Sequence, residues 1–340
     1  MLGEVVGAAI LGPRLKPGQE RFQLTAGLVT GVGTFIGLGA LSDFHPAVLG
    51  TLGFLAGAAP AAAPGGLRTL LTSHLPAPLV VKALSAESIL TYAIWLVAPA
   101  LTTWLALTVD LRLPLFLGGA LMAAAAAVLW LLPSEWQLPA GDSQGRQMLR
   151  TLFRAWPVYA VGAATMSLFA LVELVLPALL EQRSIGTGWT GSLLAGYSAA
   201  SAVGAAVYGM RTNWPWALRT QSLVLLVALT GFVALAATAR TLTSIALALL
   251  AAGLLQAGVQ MSRTLALREI LPSSMHAAGY SVLYAAVGVG YAVSAILAGA
   301  VQSIGTPSAA VLTGVGLTLL LTTVSAFGEV RIRLAVAPQK

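Results

Sequence analysis

Residues 133–154 read PSEWQLPAGDSQGRQMLRTLFR, the longest stretch of this chain in which no apolar run is long enough to cross a bilayer. Pro133, Pro139, Gly141, Asp142, Ser143 and Gly145, followed by Arg146, Arg150 and Arg154, favour turns and water over a packed core. A bilayer core of about 30 Å takes roughly 20 apolar residues of helix. Such runs fall near 22–42, 46–66, 86–109 and 113–132 before this segment, with a shorter apolar piece at 1–11. After it they fall near 155–180, 189–210, 217–239, 241–262, 279–304 and 308–328. The expected fold class is an all-α polytopic membrane protein with about ten full transmembrane helices plus a partial N-terminal one. Its expected organisation is a helical half at 1–132, a linker at 133–154 and a six-helix half at 155–340.

Composition excludes a soluble fold. The 340 residues are 58% hydrophobic and 9% charged, with a mean hydropathy of +0.88, where soluble domains carry about 25% charged residues. Cysteine is absent, which removes disulfides, thiolate metal sites and cysteine nucleophiles. Glu4 stands where a signal peptide would be basic, so 1–12 reads as the end of a helix. The dominance of arginine over lysine, with Ala, Leu and Gly filling the spans, fits a GC-rich bacterial genome.

The net charge of +7 is explained by topology. If every span crosses the membrane, Arg14, Lys16, Arg21, Arg68, Lys82, Arg146, Arg150, Arg154, Arg211, Arg219, Arg263, Arg268, Arg331, Arg333 and Lys340 share one side. Arg112, Arg183 and Arg240 take the other. Fifteen against three makes the linker and the C-terminus cytoplasmic. Dispersal of these bases over short loops removes the motive for a nucleic-acid partner.

Six spans after a basic linker, preceded by a nearly equal set, resemble the two-half plan of major facilitator transporters. The resemblance covers essentially the whole chain. On that plan 1–11 is similar to the last half of the second helix, so the first helix and part of the second are expected to be missing. Met1 then marks a remnant, or a start placed about fifty residues late. The stretch 64–95, PGGLRTLLTSHLPAPLVVKALSAESILTYAIW, resembles the connection between the family's fourth and fifth helices. Gly12 to Arg21 stands at the family's basic loop signature, keeping the bases without its Asp, and Val97 to Thr103 matches the exporter signature of the fifth helix in Pro99 alone.

The resemblance implies a bacterial efflux-type secondary active transporter in the inner membrane, moving a small organic solute by alternating access. Its expected partners are the lipid bilayer, that solute and protons. The alternatives are a non-transporting membrane remnant or helix-interaction protein and, further off, a membrane-embedded enzyme. His45, His74 and His276 are isolated in separate loops and Asp43, Asp110 and Asp142 are scattered. Neither a His-Glu-x-x-His metal motif, nor an aspartate cluster, nor an ATP-binding Gly-rich motif, nor Gly-x-Ser-x-Gly occurs, so no cofactor, metal or catalytic residue is expected.

Charges inside a bilayer cost roughly 2.5–3.5 kcal/mol, so those within spans are candidates for function. Glu173, in the span resembling the seventh helix, is the carboxylate placed deepest in the second half, where it binds a proton or a cation or else reaches water at the outer end. Gln256 and Gln260 share a helix face in the span resembling the tenth helix and serve either substrate binding or interhelical hydrogen bonding. Arg263, on the same face, reads as a cytoplasmic anchor. Glu87 reads as the acid of a first helical turn that pairs with Arg68 or Lys82. Tyr159, Tyr197 and Tyr284, with Trp156 and Tyr291, line a pocket or pack between helices, while Trp136, Trp214 and Trp216 belong to the interfacial belt. Gly204 and Gly290 are among the glycines placed for close helix approach.

Overall fold

The computed structural model describes residues 1–16, 18–42, 44–132, 139, 146–211 and 214–336. Most of the linker (133–138 and 140–145, with Trp136 and Asp142), Asp43 and Lys340 lie outside the described residues. The helices are α1 (Leu2–Leu11), α2 (Glu20–Ala40), α3 (Pro46–Ala58), α4 (Ala63–Ser73), α5 (Ala77–Thr108), α6 (Leu113–Leu131) and α7 (Arg146–Arg154). They continue with α8 (Trp156–Gln182), α9 (Trp189–Met210), α10 (Leu218–Thr238), α11 (Leu242–Ile270), α12 (His276–Ile304) and α13 (Pro307–Val336). Among the described residues, ten helical stretches are long and apolar enough to cross a membrane, with mean hydropathy from 1.3 to 2.0 in their best windows. The chain is an all-α polytopic membrane protein.

α3 and α4 form one such stretch, Pro46–Ser73, joined by a 3-10 turn at Ala59–Ala62. Pro60 and Pro64 supply no N–H to the α-helical ladder here, and the tighter turn accommodates them. The helix runs seven residues past the expected 66, and α5 begins nine residues before the expected 86. Arg68, read as lying beyond the end of a span, is inside the longer α4 and buried at 7% exposure, while α5 starts at Ala77. Glu87 therefore sits in the third turn of α5 and not in its first. The end of the linker, expected to avoid regular structure, forms α7, whose Leu152 is buried while Leu149 and Phe153 are exposed.

Two compact units result, and α5 and α12 each contribute to both. The first consists of Met1–Pro76, Val97–Leu152 and Leu271–Gly288. Leu24 and Leu28 of α2 pack on Ala126 and Leu129 of α6, and Ala62 and Ala63 complete that core. Ala8 and Ala61 meet Ala285 of α12 in a second, smaller one. In lipid the association of helices comes from close packing more than from burial of apolar surface, which suits small residues at these contacts.

The second unit consists of Ala77–Leu96, Phe153–Ile270 and Val289–Lys340. α8 lies at its centre, with 61% of its most apolar stretch buried. Leu168, Leu171, Val175 and Leu180 pack on Leu226 and Leu229 of α10, Ile245 and Leu249 of α11, and Val311 of α13. α8 ends where Ser184 takes a φ of 58° and the Ile185 amide donates to the Leu180 carbonyl at 2.9 Å, a left-handed cap made without glycine. Beside it, Arg183 Nη2 donates at 3.0 Å to both the Ala237 carbonyl and Ser308 Oγ. The ends of α8 and α10 and the start of α13 are thereby tied together.

Candidate functional site

The α8 sequence WPVYAVGAATMSLFALVELVLPALLEQ is apolar around most of its circumference, so its few polar side chains must find partners within the protein. Two find them on the second half of α12. Gly290 approaches the Ala163 backbone so closely that no β-carbon fits between them. One turn further along both helices, Ser167 and Ser294 hydrogen-bond through their hydroxyls, and both are buried. Matching steps of four residues show α8 and α12 running in the same direction at this contact.

From Tyr291, on the same stretch of α12, the phenol donates to Glu173 Oε2 at 3.1 Å. Glu173 and Tyr291 are both half-buried, while Leu174 beside the carboxylate is 41% exposed. Glu173 thus stands at the margin of the packed core of this unit. A carboxylate held by a phenol can accept that hydrogen bond in either protonation state. Ionised, it offers a negative charge to a cation; protonated, it also donates. This is the chemistry of reversible proton or cation binding.

Four residues before Glu173, hence on the same helix face, stands Phe169. Its ring lies 5.2 Å from Trp95 of α5 in edge-to-face geometry and 5.7 Å from Tyr197 of α9. Tyr197 is 1% exposed, and its carbonyl packs so closely on Gly253 of α11 that glycine alone fits there. Gln256, three residues along α11, is 3% exposed. Its Oε1, Tyr197 Oη and Tyr159 Oη are buried without a hydrogen-bond partner. Buried polar atoms are nearly always bonded, yet these three are not singular in this unit, where Gln221 Nε2 and Thr318 Oγ1 are buried without a partner as well.

Five of the six candidate residues (Glu173, Gln256, Gln260, Tyr159 and Tyr197) therefore belong to the second unit, within which Phe169 links α8 to Tyr197 and shares a helix face with Glu173. Gln260 is half-buried, and its carbonyl accepts from Thr264 Oγ1 at 2.8 Å. Tyr284 belongs to the first unit, where the Arg68 guanidinium lies 5.1 Å from its ring and 5.7 Å from that of Tyr280. Arg263 is not an exposed anchor. It is 3% exposed between buried Ser262 and Thr264, because α11 continues to Ile270 and carries it inside. Sequence reasoning missed Ser167, Ser294, Phe169 and Trp95, which carry no mark distinguishing them from the many Ser and aromatic residues of other spans.

No family model matches the sequence, and no curated protein sequence matches it either. The similarity lies in three dimensions. The human organic anion transporter MFSD10 (TETRAN) superposes with a TM-score of 0.75 at 17% identity, over 95% of this chain and 81% of that one. The Escherichia coli fucose:proton symporter FucP superposes with a TM-score of 0.68 at 14% identity, over 96% of this chain and 87% of that one. FucP in an outward conformation gives 0.69 at 13% identity, covering 96% and 88%. This chain has the major facilitator fold. In the framework of that fold, the Glu173–Tyr291 pair is a half-buried ionisable site inside a membrane-spanning bundle.

Proposed function

We propose that this protein is a secondary active transporter that moves a small organic solute across a bacterial inner membrane by alternating access. Residues 1–132 and 155–340 act as its two halves, with 133–154 as a cytoplasmic linker and the C-terminus on the same side, a placement that rests on the distribution of fifteen basic residues against three. The observation that carries the reading is the Glu173–Tyr291 hydrogen bond within a chain of major facilitator fold. An acid inside a span is costly, and transport of protons or cations is the usual reason for keeping one. Protons couple the cycle through Glu173. The solute meets the aromatic surface of Phe169 and Tyr197 and the amides of Gln256 and Gln260. Export is favoured by Pro99 inside α5, the residue shared with the exporter signature.

The test uses the full chain in proteoliposomes under an imposed pH gradient, with a panel of organic anions, sugars and amphiphilic cations. The expected result is gradient-driven flux of at least one class, lost in Glu173→Gln. Absence of flux for every class, from protein that is inserted and monodisperse, overturns the transporter reading.

A further inference from the structure

The first unit contains an apolar groove of about 360 Å³ that plays no part in the site above. One wall is the face of α2 carrying Phe22, Ala26 and Thr30; opposite stand Ala59 and Pro60 of the 3-10 turn. Gly27 brings the walls together at the floor, where its backbone packs on the Ala59 carbonyl with no room for a β-carbon. From Phe22 to Thr30 the groove follows α2 for roughly 12 Å, against a depth of about 15 Å for one leaflet.

The charged and amide side chains lie at one end. Arg14, exposed in the turn after α1, lines the mouth, and exposed Lys16 is two residues away. Gln23 lines the same end and accepts from the Lys16 amide at 2.9 Å through Oε1, while its amide nitrogen carries two donor hydrogens. Glu20, the acid of this helix start, is turned inward at 2% exposure. The charged side chains exposed at the mouth, Arg14 and Lys16, are thus both cationic. Deeper in, the Thr30 hydroxyl is satisfied by the Ala26 carbonyl at 2.8 Å and makes no demand on a ligand.

A cationic mouth leading into an apolar trench along a membrane-spanning helix is complementary to a molecule with an anionic head and a hydrocarbon tail. We propose that this groove binds one acyl chain of an anionic phospholipid, whose phosphate is held by Arg14 with Lys16 and Gln23 beside it. The proposal needs only that the chain spans a membrane, and it stands or falls separately from transport.

Native mass spectrometry of the full chain in detergent, with phosphatidylglycerol and phosphatidylcholine of identical acyl chains, reads the site directly. Wild type should retain phosphatidylglycerol over phosphatidylcholine by about fivefold, the worth of one basic residue at an anionic surface. Arg14→Gln should bring that ratio close to one. Ala26→Phe, which fills the trench from an exposed position, should remove both lipids. Thr30→Trp serves the same purpose should Ala26→Phe not be monodisperse.

Inorganic phosphate should not displace the lipid or raise the melting temperature. Equal retention in wild type and all variants overturns the proposal, as does protection by phosphate alone, which would make the mouth a simple anion site. A wild-type dimer that Ala26→Phe converts to monomer would assign the groove to a second copy and also overturn it.

Discussion

Tyr291 donates its phenolic hydrogen to Glu173 at 3.1 Å, joining α12 to α8 within one compact unit. Removing the charge and removing its partner should have different consequences. Glu173→Gln keeps an acceptor for the phenol but cannot bind a proton, so gradient-driven flux should vanish while solute counterflow persists. Flux in the variant that still follows the pH gradient would take Glu173 out of the coupling role.

Tyr291→Phe leaves the carboxylate ionisable but without its donor. A hydrogen bond to a charged group is worth about 1.5–3 kcal/mol, so gradient-driven flux should fall at least about tenfold. A pH–flux profile in proteoliposomes checks this, and an unchanged profile would show the bond to be incidental.

Gln256 presents a buried Oε1 without a hydrogen-bond partner. Gln256→Leu removes the orphan and nearly conserves volume, so thermal stability in detergent should be unchanged or higher. Solute affinity, read by a binding titration, should fall if the amide faces substrate. A clear loss of stability would instead assign the amide to helix packing.

At the Ser167–Ser294 link, a double-mutant cycle to alanine should return a coupling of about 0.6 kcal/mol, typical of hydrogen bonds between membrane helices. Gly290→Leu, one turn away, should be far more harmful, because its side chain would enter the Ala163 backbone. Overpacking costs about 1–3 kcal/mol, visible as a lower melting temperature.

Arg68 in the first unit stands over Tyr280 and Tyr284. Tyr284→Ala should destabilise by about 1–2 kcal/mol through loss of the cation–π contact, and Tyr284→Phe should preserve most of it. Comparable losses in both variants would show that the hydroxyl, and not the ring face, is what matters.

The spans were legible because a bilayer imposes length and apolarity on any helix that crosses it, and Trp156–Gln182 or Leu218–Thr238 meets both conditions in one dimension. Their ends were legible only where charge coincides with water. Arg68 and Arg263 broke that rule: each looks like a boundary and each is buried. Candidate residues were legible by their cost in lipid, which picked out Glu173 but was silent about Ser167 or Phe169, whose presence in a span costs little.

What the amino-acid order determined by itself was therefore the class of fold: helices of bilayer length, their number, and the one long polar segment among them. These follow from local hydropathy and charge, which each residue carries whatever its neighbours in space. Tertiary structure alone decided that Tyr291 rather than Tyr284 meets Glu173, that Tyr284 serves Arg68, and that Gly290 fits against Ala163. The two tyrosines are seven residues apart on one continuous helix and nearly equivalent in sequence. Only the packing of that helix first within one unit and then within the other gives the two rings different partners.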